Sequence, residues 1–107
     1  MKGDIVVLDF PFTDLSRRKR TPALVIHDSN GADVILAPLT SRAHGEPEIT
    51  IDETDIVEGQ LIKRSYLRPQ ILFTAHKDIL LYRAGKLRKE VMTNVIDKIV
   101  ELLSTDR

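Results

Sequence analysis

The chain has 107 residues, 42% of them apolar and 30% charged, which is the balance of one globular domain over 1–107 and excludes collagen-like and disordered chains. It has no cysteine, so disulfide frameworks and thiolate metal sites are excluded, and the composition fits a reducing cytoplasm. Sixteen Lys and Arg balance sixteen Asp and Glu, but the charges are segregated: Arg17, Arg18, Lys19 and Arg20 form a basic block, while Glu46, Glu48, Asp52, Glu53, Asp55 and Glu58 form an acidic stretch.

In chain order, residues 4–10 (DIVVLDF) are short, β-branched and aromatic and predict a strand. Pro11 interrupts it, and a polar loop carries the basic block to Thr21. Pro22 opens a second predicted strand, PALVIH, at a first position where its missing N–H is tolerated. Asn30-Gly31 marks a hairpin turn. Residues 33–39 (DVILAPL) return antiparallel, with Pro38 marking an edge or bulge. Residues 40–47 read as loop, 48–52 as a half-buried strand, and the acidic stretch to Gly59 as loop. Residues 60–68 and 70–75 read as two strands, or one strand bent at Pro69, and 79–82 as a helical turn or strand. Met92, Val95, Ile96, Ile99, Leu102 and Leu103 recur at helical spacing, with Asn94, Asp97, Lys98 and Glu101 between them, and predict a C-terminal amphipathic helix. The sum is a mainly β (α+β) fold: a small, strongly curved antiparallel sheet or barrel with one helix packed on it.

No apolar run approaches the ~20 residues of a membrane helix, and Asp4 and Asp9 spoil a signal peptide. The three histidines show no metal-ligating spacing, and the five glycines form no nucleotide-binding pattern, so no metal and no cofactor are expected.

The opening KGDIVVLDFPFTDLSRRKRTPALVIH resembles the start of the MazF/PemK family of toxin–antitoxin ribonucleases. The resemblance continues through VILAPLTSR, SYLRPQILFT and RAGKL with the amphipathic helix, and so spans nearly the whole chain. It implies an SH3-like, CcdB/PemK-type barrel of short antiparallel strands. It also implies a cytoplasmic homodimer that cuts single-stranded RNA without a metal, leaving a 2′,3′-cyclic phosphate and a 5′-hydroxyl, and that is neutralised by a cognate antitoxin. Arg20 and Thr40 are the catalytic residues this implies. A guanidinium suits a phosphate whose negative charge grows in the transition state, and a hydroxyl at a strand end can donate to a phosphate oxygen.

Arg17, Arg18, Lys19, Thr21, Ser41, Arg42, His44 and Arg68 are the candidate RNA-binding residues. His44 is also a candidate proton carrier, and Phe12 is the candidate for base stacking. Each has a plainer reading: a solvated basic loop, a Thr40 hydroxyl that caps its own turn, an Arg68 ion pair with Glu48, a Phe12 in the core. The chain departs from the family in one respect. The family has Arg immediately before the Pro, whereas Thr21 stands there and Arg20 precedes it; in a strand, that shift turns the side chain to the other face. The alternative reading is therefore a non-catalytic barrel that binds nucleic acid or a protein such as a gyrase subunit.

Overall fold

The computed structural model describes residues 1–10, 19–60 and 63–105. Eight strands and one helix follow in order: β1 (Asp4–Phe10), β2 (Lys19–Asp28), β3 (Asp33–Thr40), β4 (Ile49–Ile51), β5 (Ile56–Gly59), β6 (Ser65–Leu67), β7 (Phe73–His76), β8 (Leu80–Leu87) and α1 (Lys89–Ser104). The strands run β4-β6-β3-β2-β1-β8-β5 in space, every pairing among the described residues is antiparallel, and β7 adds to β3. The sheet is an open half-barrel closed over by α1.

Its central strands are covered on both sides. On one face Ile5, Leu24, Ala37, Leu39, Ile51 and Leu67 pack against Met92, Val95 and Ile99 of α1. On the other, Val6, Leu8, Ala23, Val25 and Leu36 pack with Ala75 and with the partly buried Phe73 and Leu80. Two covered faces explain why ALVI and VILA are continuously apolar rather than alternating.

The β2–β3 hairpin forms at the predicted turn. Asn30 takes the left-handed conformation (φ 63°) and its N–H donates to Asp28 Oδ1 at 2.8 Å, a local bond typical of Asx turns. β2 begins at Lys19, earlier than predicted, so Pro22 is internal to the strand. It pairs with Val7 of β1, while the β3 ladder begins at Ala23. β2 thus has one paired neighbour at Pro22, and a strand open on one side accommodates a residue without an N–H. β3 pairs with β2 and β7 along its first part and with β6 at Leu39 and Thr40, so Pro38 marks the point where it passes from one curved layer to the next.

The acidic stretch is not simply loop. Glu53–Asp55 form a 3-10 turn, and Ile56–Gly59 form β5 on β8. Arg83 bridges this edge by donating to Glu58 Oε1 (3.1 Å) and Asp4 Oδ1 (3.0 Å), and those carboxylates hold its pKa above the usual arginine value. The helix keeps its predicted inner stripe, except that Leu103 is 74% exposed. With Val100 it forms a separate exposed apolar pair, while Ile96 packs against the core.

Candidate nucleic-acid site

Thr40 ends β3 and is directly opposite Tyr66 of β6, which in turn is opposite Thr50 of β4. Strand alternation sends Leu39, Leu67, Ile51 and Ser65 inward, and all four are buried. Thr40, Thr50, Tyr66 and Arg68 therefore share the outward face. Arg68 continues the β3–β6 ladder, its N–H donating to Pro38 O at 3.0 Å. It is thus the diagonal neighbour of Thr40, at a spacing a long side chain spans.

The loop after Thr40 is tied down locally. Thr40 Oγ1 accepts the Arg42 N–H at 3.2 Å, so the hydroxyl does cap its own turn, and its O–H remains a donor. Glu48 holds the next stretch. Its carboxylate accepts the His44 N–H at 2.8 and 3.0 Å and the Gly45 N–H at 3.0 Å. His44 Nδ1 lies 4.0 Å from the same group. The plainer reading of Arg68, an ion pair with Glu48 or another acid, is not met among the described residues; Glu48 is spent on this loop. Ser41, Arg42 and His44 are exposed.

The basic block stands differently. Arg17, Arg18 and Phe12 lie outside the described residues. Lys19 opens β2, and Arg20 is exposed and opposite Asp9 of β1. The unbroken β1–β2 register places Arg20 on the face of Pro22 and Leu24, and Thr21 on the face of Ala23. Ala23 is opposite Pro38, which shares its face with Thr40. The structure thus brings Thr21, Thr40, Arg68 and the Arg42 loop together on one side and leaves Arg20 on the other.

Among the described arginines, Arg64, Arg83 and Arg88 meet Asp52, Asp4 with Glu58, and Glu90 respectively. Arg20, Arg42 and Arg68 meet no carboxylate among the described residues. Arg68 is the unusual one: its Nε is buried with no hydrogen-bond partner. A buried unmet donor typically costs about 1–3 kcal/mol. Tyr66 stands on this same outward face beside Thr40, and the alternation of SYLR, with Ser65 and Leu67 inward, is the sequence signal that places it there.

No group of three or more His, Asp or Glu side chains suited to a metal occurs among the described residues. An open groove of about 1000 Å³ lies at the far end of β1, with Lys2, Lys86, Lys89, Glu58, Glu90 and Asp97 around Leu87, Met92 and Ile96.

The described residues thus form an open antiparallel half-barrel under one C-terminal helix, with Thr40 and Arg68 on one outward face. The family model for the PemK-like, MazF-like toxin of type II toxin–antitoxin systems matches residues 1–103, and the chain belongs to that family. An endoribonuclease solved with its cognate antitoxin from a Mycobacterial species is similar at 16% identity and a TM-score of 0.75, covering 100% of this chain and 95% of that one. Mycobacterium tuberculosis toxin MazF-mt6 is similar at 19% identity and a TM-score of 0.74, covering 97% and 99%. MazF from Deinococcus radiodurans is similar at 23% identity and a TM-score of 0.74, covering 96% and 94%. At these identities the likeness is one of fold. No curated protein matches the chain in sequence.

Proposed function

We propose that the chain is an endoribonuclease toxin that cuts single-stranded RNA without a metal. The observation that carries this reading is Thr40 at a strand end, beside the Arg42 loop and diagonal to Arg68, in a member of the MazF-like toxin family. In the reaction, a ribose 2′-oxygen loses its proton and attacks the adjacent phosphorus. The P–O5′ bond breaks and the departing oxygen takes up a proton. The products are a 2′,3′-cyclic phosphate and a 5′-hydroxyl, and no water is consumed. Thr40 donates its O–H to a non-bridging oxygen. Arg20 supplies charge from the open edge of β2, with Arg17, Arg18 and Lys19 drawing the strand in. Thr21, Ser41, Arg42, His44 and Arg68 hold flanking phosphates.

Other surfaces suit the partners. The exposed Val100 and Leu103 of α1 support a homodimer, since an exposed apolar helix face gains from a second copy. Lys2, Lys86 and Lys89 have no ion-pair partner among the described residues and share a groove with an apolar floor and with Glu58, Glu90 and Asp97, a mixed surface that we assign to a cognate antitoxin segment carrying carboxylates for the lysines beside apolar residues for the floor. No helix among the described residues is long and apolar enough to cross a membrane. We place the toxin in the cytoplasm, with its RNA.

The test is incubation of the purified protein with a long single-stranded RNA in EDTA, with the cut ends mapped. Cuts ending in cyclic phosphate, lost in Thr40→Ala and in Arg20→Ala, are expected. One observation favours a second reading: Arg20 does not share Thr40's face. RNA bound but left uncut by the wild-type protein would make the chain a binding module instead.

A further inference from the structure

Strand β6 puts one aromatic side chain on the face that carries Thr40. Tyr66 is half-buried and stands in the middle of a row across three strands, with Thr40 of β3 on one side and the exposed Thr50 of β4 on the other. Paired strands lie about 4.8 Å apart, so the row spans roughly 10 Å. That is the reach of one nucleotide from its phosphate to the far edge of its base. Ser65 and Leu67, the neighbours of Tyr66 in the chain, are buried on the opposite face, so the backbone under the ring is anchored in the core. The tip of the ring is placed as well. Asp52, whose Oδ1 accepts from Arg64 Nε at 2.7 Å, and after it Tyr66 hold the Arg64 guanidinium above its usual pKa, which sets the phenol beside an arginine whose charge is already met. The ring thus offers a fixed apolar surface between two threonines, with no net charge gathered around it. An aromatic ring on an outward sheet face is a surface on which an unstacked base can lie.

We propose that Tyr66 is the base-stacking residue of the site and holds the nucleobase next to the phosphate at Thr40, with the edge of that base towards Thr50. This rests on the ribonuclease reading above, which supplies the phosphate at Thr40. The ring accepts any of the bases, since each has a π face, so Tyr66 sets where a nucleotide lies rather than which one it is. Tyr carries this contact at little ordering cost, because a side chain with two χ angles that is already held by its strand has few positions to lose.

The experiment measures binding of a short oligonucleotide that spans the cut site and has fluorine in place of every 2′-hydroxyl, so that it cannot react. Wild type, Tyr66→Phe and Tyr66→Ala are compared on this probe and on a set of probes that each lack one base. Tyr66→Ala is expected to weaken binding of the intact probe about tenfold to 100-fold, and Tyr66→Phe less than about threefold, because phenylalanine keeps the ring. On the probe without the stacked base, wild type is expected to bind as weakly as Tyr66→Ala, and Tyr66→Ala to lose nothing further. Removal of any other base should weaken both proteins alike. Binding of the intact probe by Tyr66→Ala within about twofold of wild type would overturn the proposal. So would a loss of the same size on every probe, which would make the defect one of folding. Both results would leave the ribonuclease reading standing, because that reading is tested on unmodified RNA with the wild-type protein. Absence of cleavage there would overturn both.

Discussion

Arg20 and Thr40 lie on opposite faces of the β2–β3 layer, whereas Thr21 and Thr40 lie on the same one. The register from Ile5↔Leu24 to Phe10↔Lys19 has no bulge, so nothing between Lys19 and Leu24 corrects the offset. A cation at 21 would point towards Thr40 directly. Thr21→Arg is therefore expected to raise the saturating cleavage rate about tenfold, by adding a charge-assisted donor at the reacting phosphate. Single-turnover kinetics on a short RNA read the effect. An unchanged or lower rate would show that β2 does not face the scissile phosphate.

Glu48 organises the loop that follows Thr40. Its side chain is only 9% exposed, and both oxygens are used by backbone N–H groups. Hydrogen bonds to a charged acceptor are the stronger class, so Glu48→Ala is expected to cost about 2 kcal/mol in urea unfolding. Glu48→Gln keeps one acceptor oxygen and should cost roughly half as much. Hydrogen exchange at the His44 and Gly45 amides should accelerate in both variants, while the β1–β2 amides stay protected.

Asp28 ties the β2–β3 hairpin to the segment before β8. It accepts from Lys77 Nζ at 2.9 Å and from the Asn30 N–H at 2.8 Å, and the Lys77 bond first, then the Asn30 bond, holds its pKa below the ordinary 3.8. The folded state therefore favours the carboxylate more than the unfolded chain does. That stabilisation is fully present above the ordinary carboxylate pKa and disappears as pH falls through the lowered value of the folded protein. The melting temperature should drop as the pH is taken below about 4. Asp28→Asn should start lower at neutral pH and show a shallower acid slope. Parallel slopes would assign acid sensitivity to other carboxylates.

Gly59 and Gly85 face each other where β5 meets β8. Gly59 has φ +82°, and a Cβ there would collide with the carbonyl oxygen of Ala84 and lie 2.7 Å from Gly85 Cα. Gly59→Ala combines a disfavoured backbone with overpacking and is expected to cost about 2–4 kcal/mol. Gly31→Ala is the control: its Cβ would meet only Ser29 Oγ at 4.0 Å, and the change should stay within about 0.5 kcal/mol. Thermal melts of the two variants separate these outcomes.

What could be read from sequence was set by short-range patterns. β1, the Asn30 turn and α1 each carry a local signal, and each formed where the signal lay. β5 carried none, because its strand state depends on pairing with β8 and on Arg83 from 25 residues away neutralising Glu58. The bounds of β2 shifted for a similar reason: Lys19, Arg20 and Thr21 are extended because β1 pairs with them, not because their residue types demand it. At the candidate site, Thr40 and Arg68 were legible as residue types near strand ends. Their common face was not, since it follows from the Leu39↔Leu67 and Thr40↔Tyr66 pairing. Leu103 matched the helical period, yet the sheet that α1 covers does not reach it.

β3 is hydrogen-bonded to β2, β6 and β7, and Thr40 is its last residue. A strand held by three neighbours opens only when the whole domain opens, so its central amides belong to the slowest-exchanging class. Thr40 stands at the end of that strand, paired with Tyr66 of β6. Because the strand behind it is built into the core, an inhibitor acts by occlusion, laying itself across the strand's end. Switching such a protein off then depends on how long the cover stays in place, and release restores the surface with no refolding step.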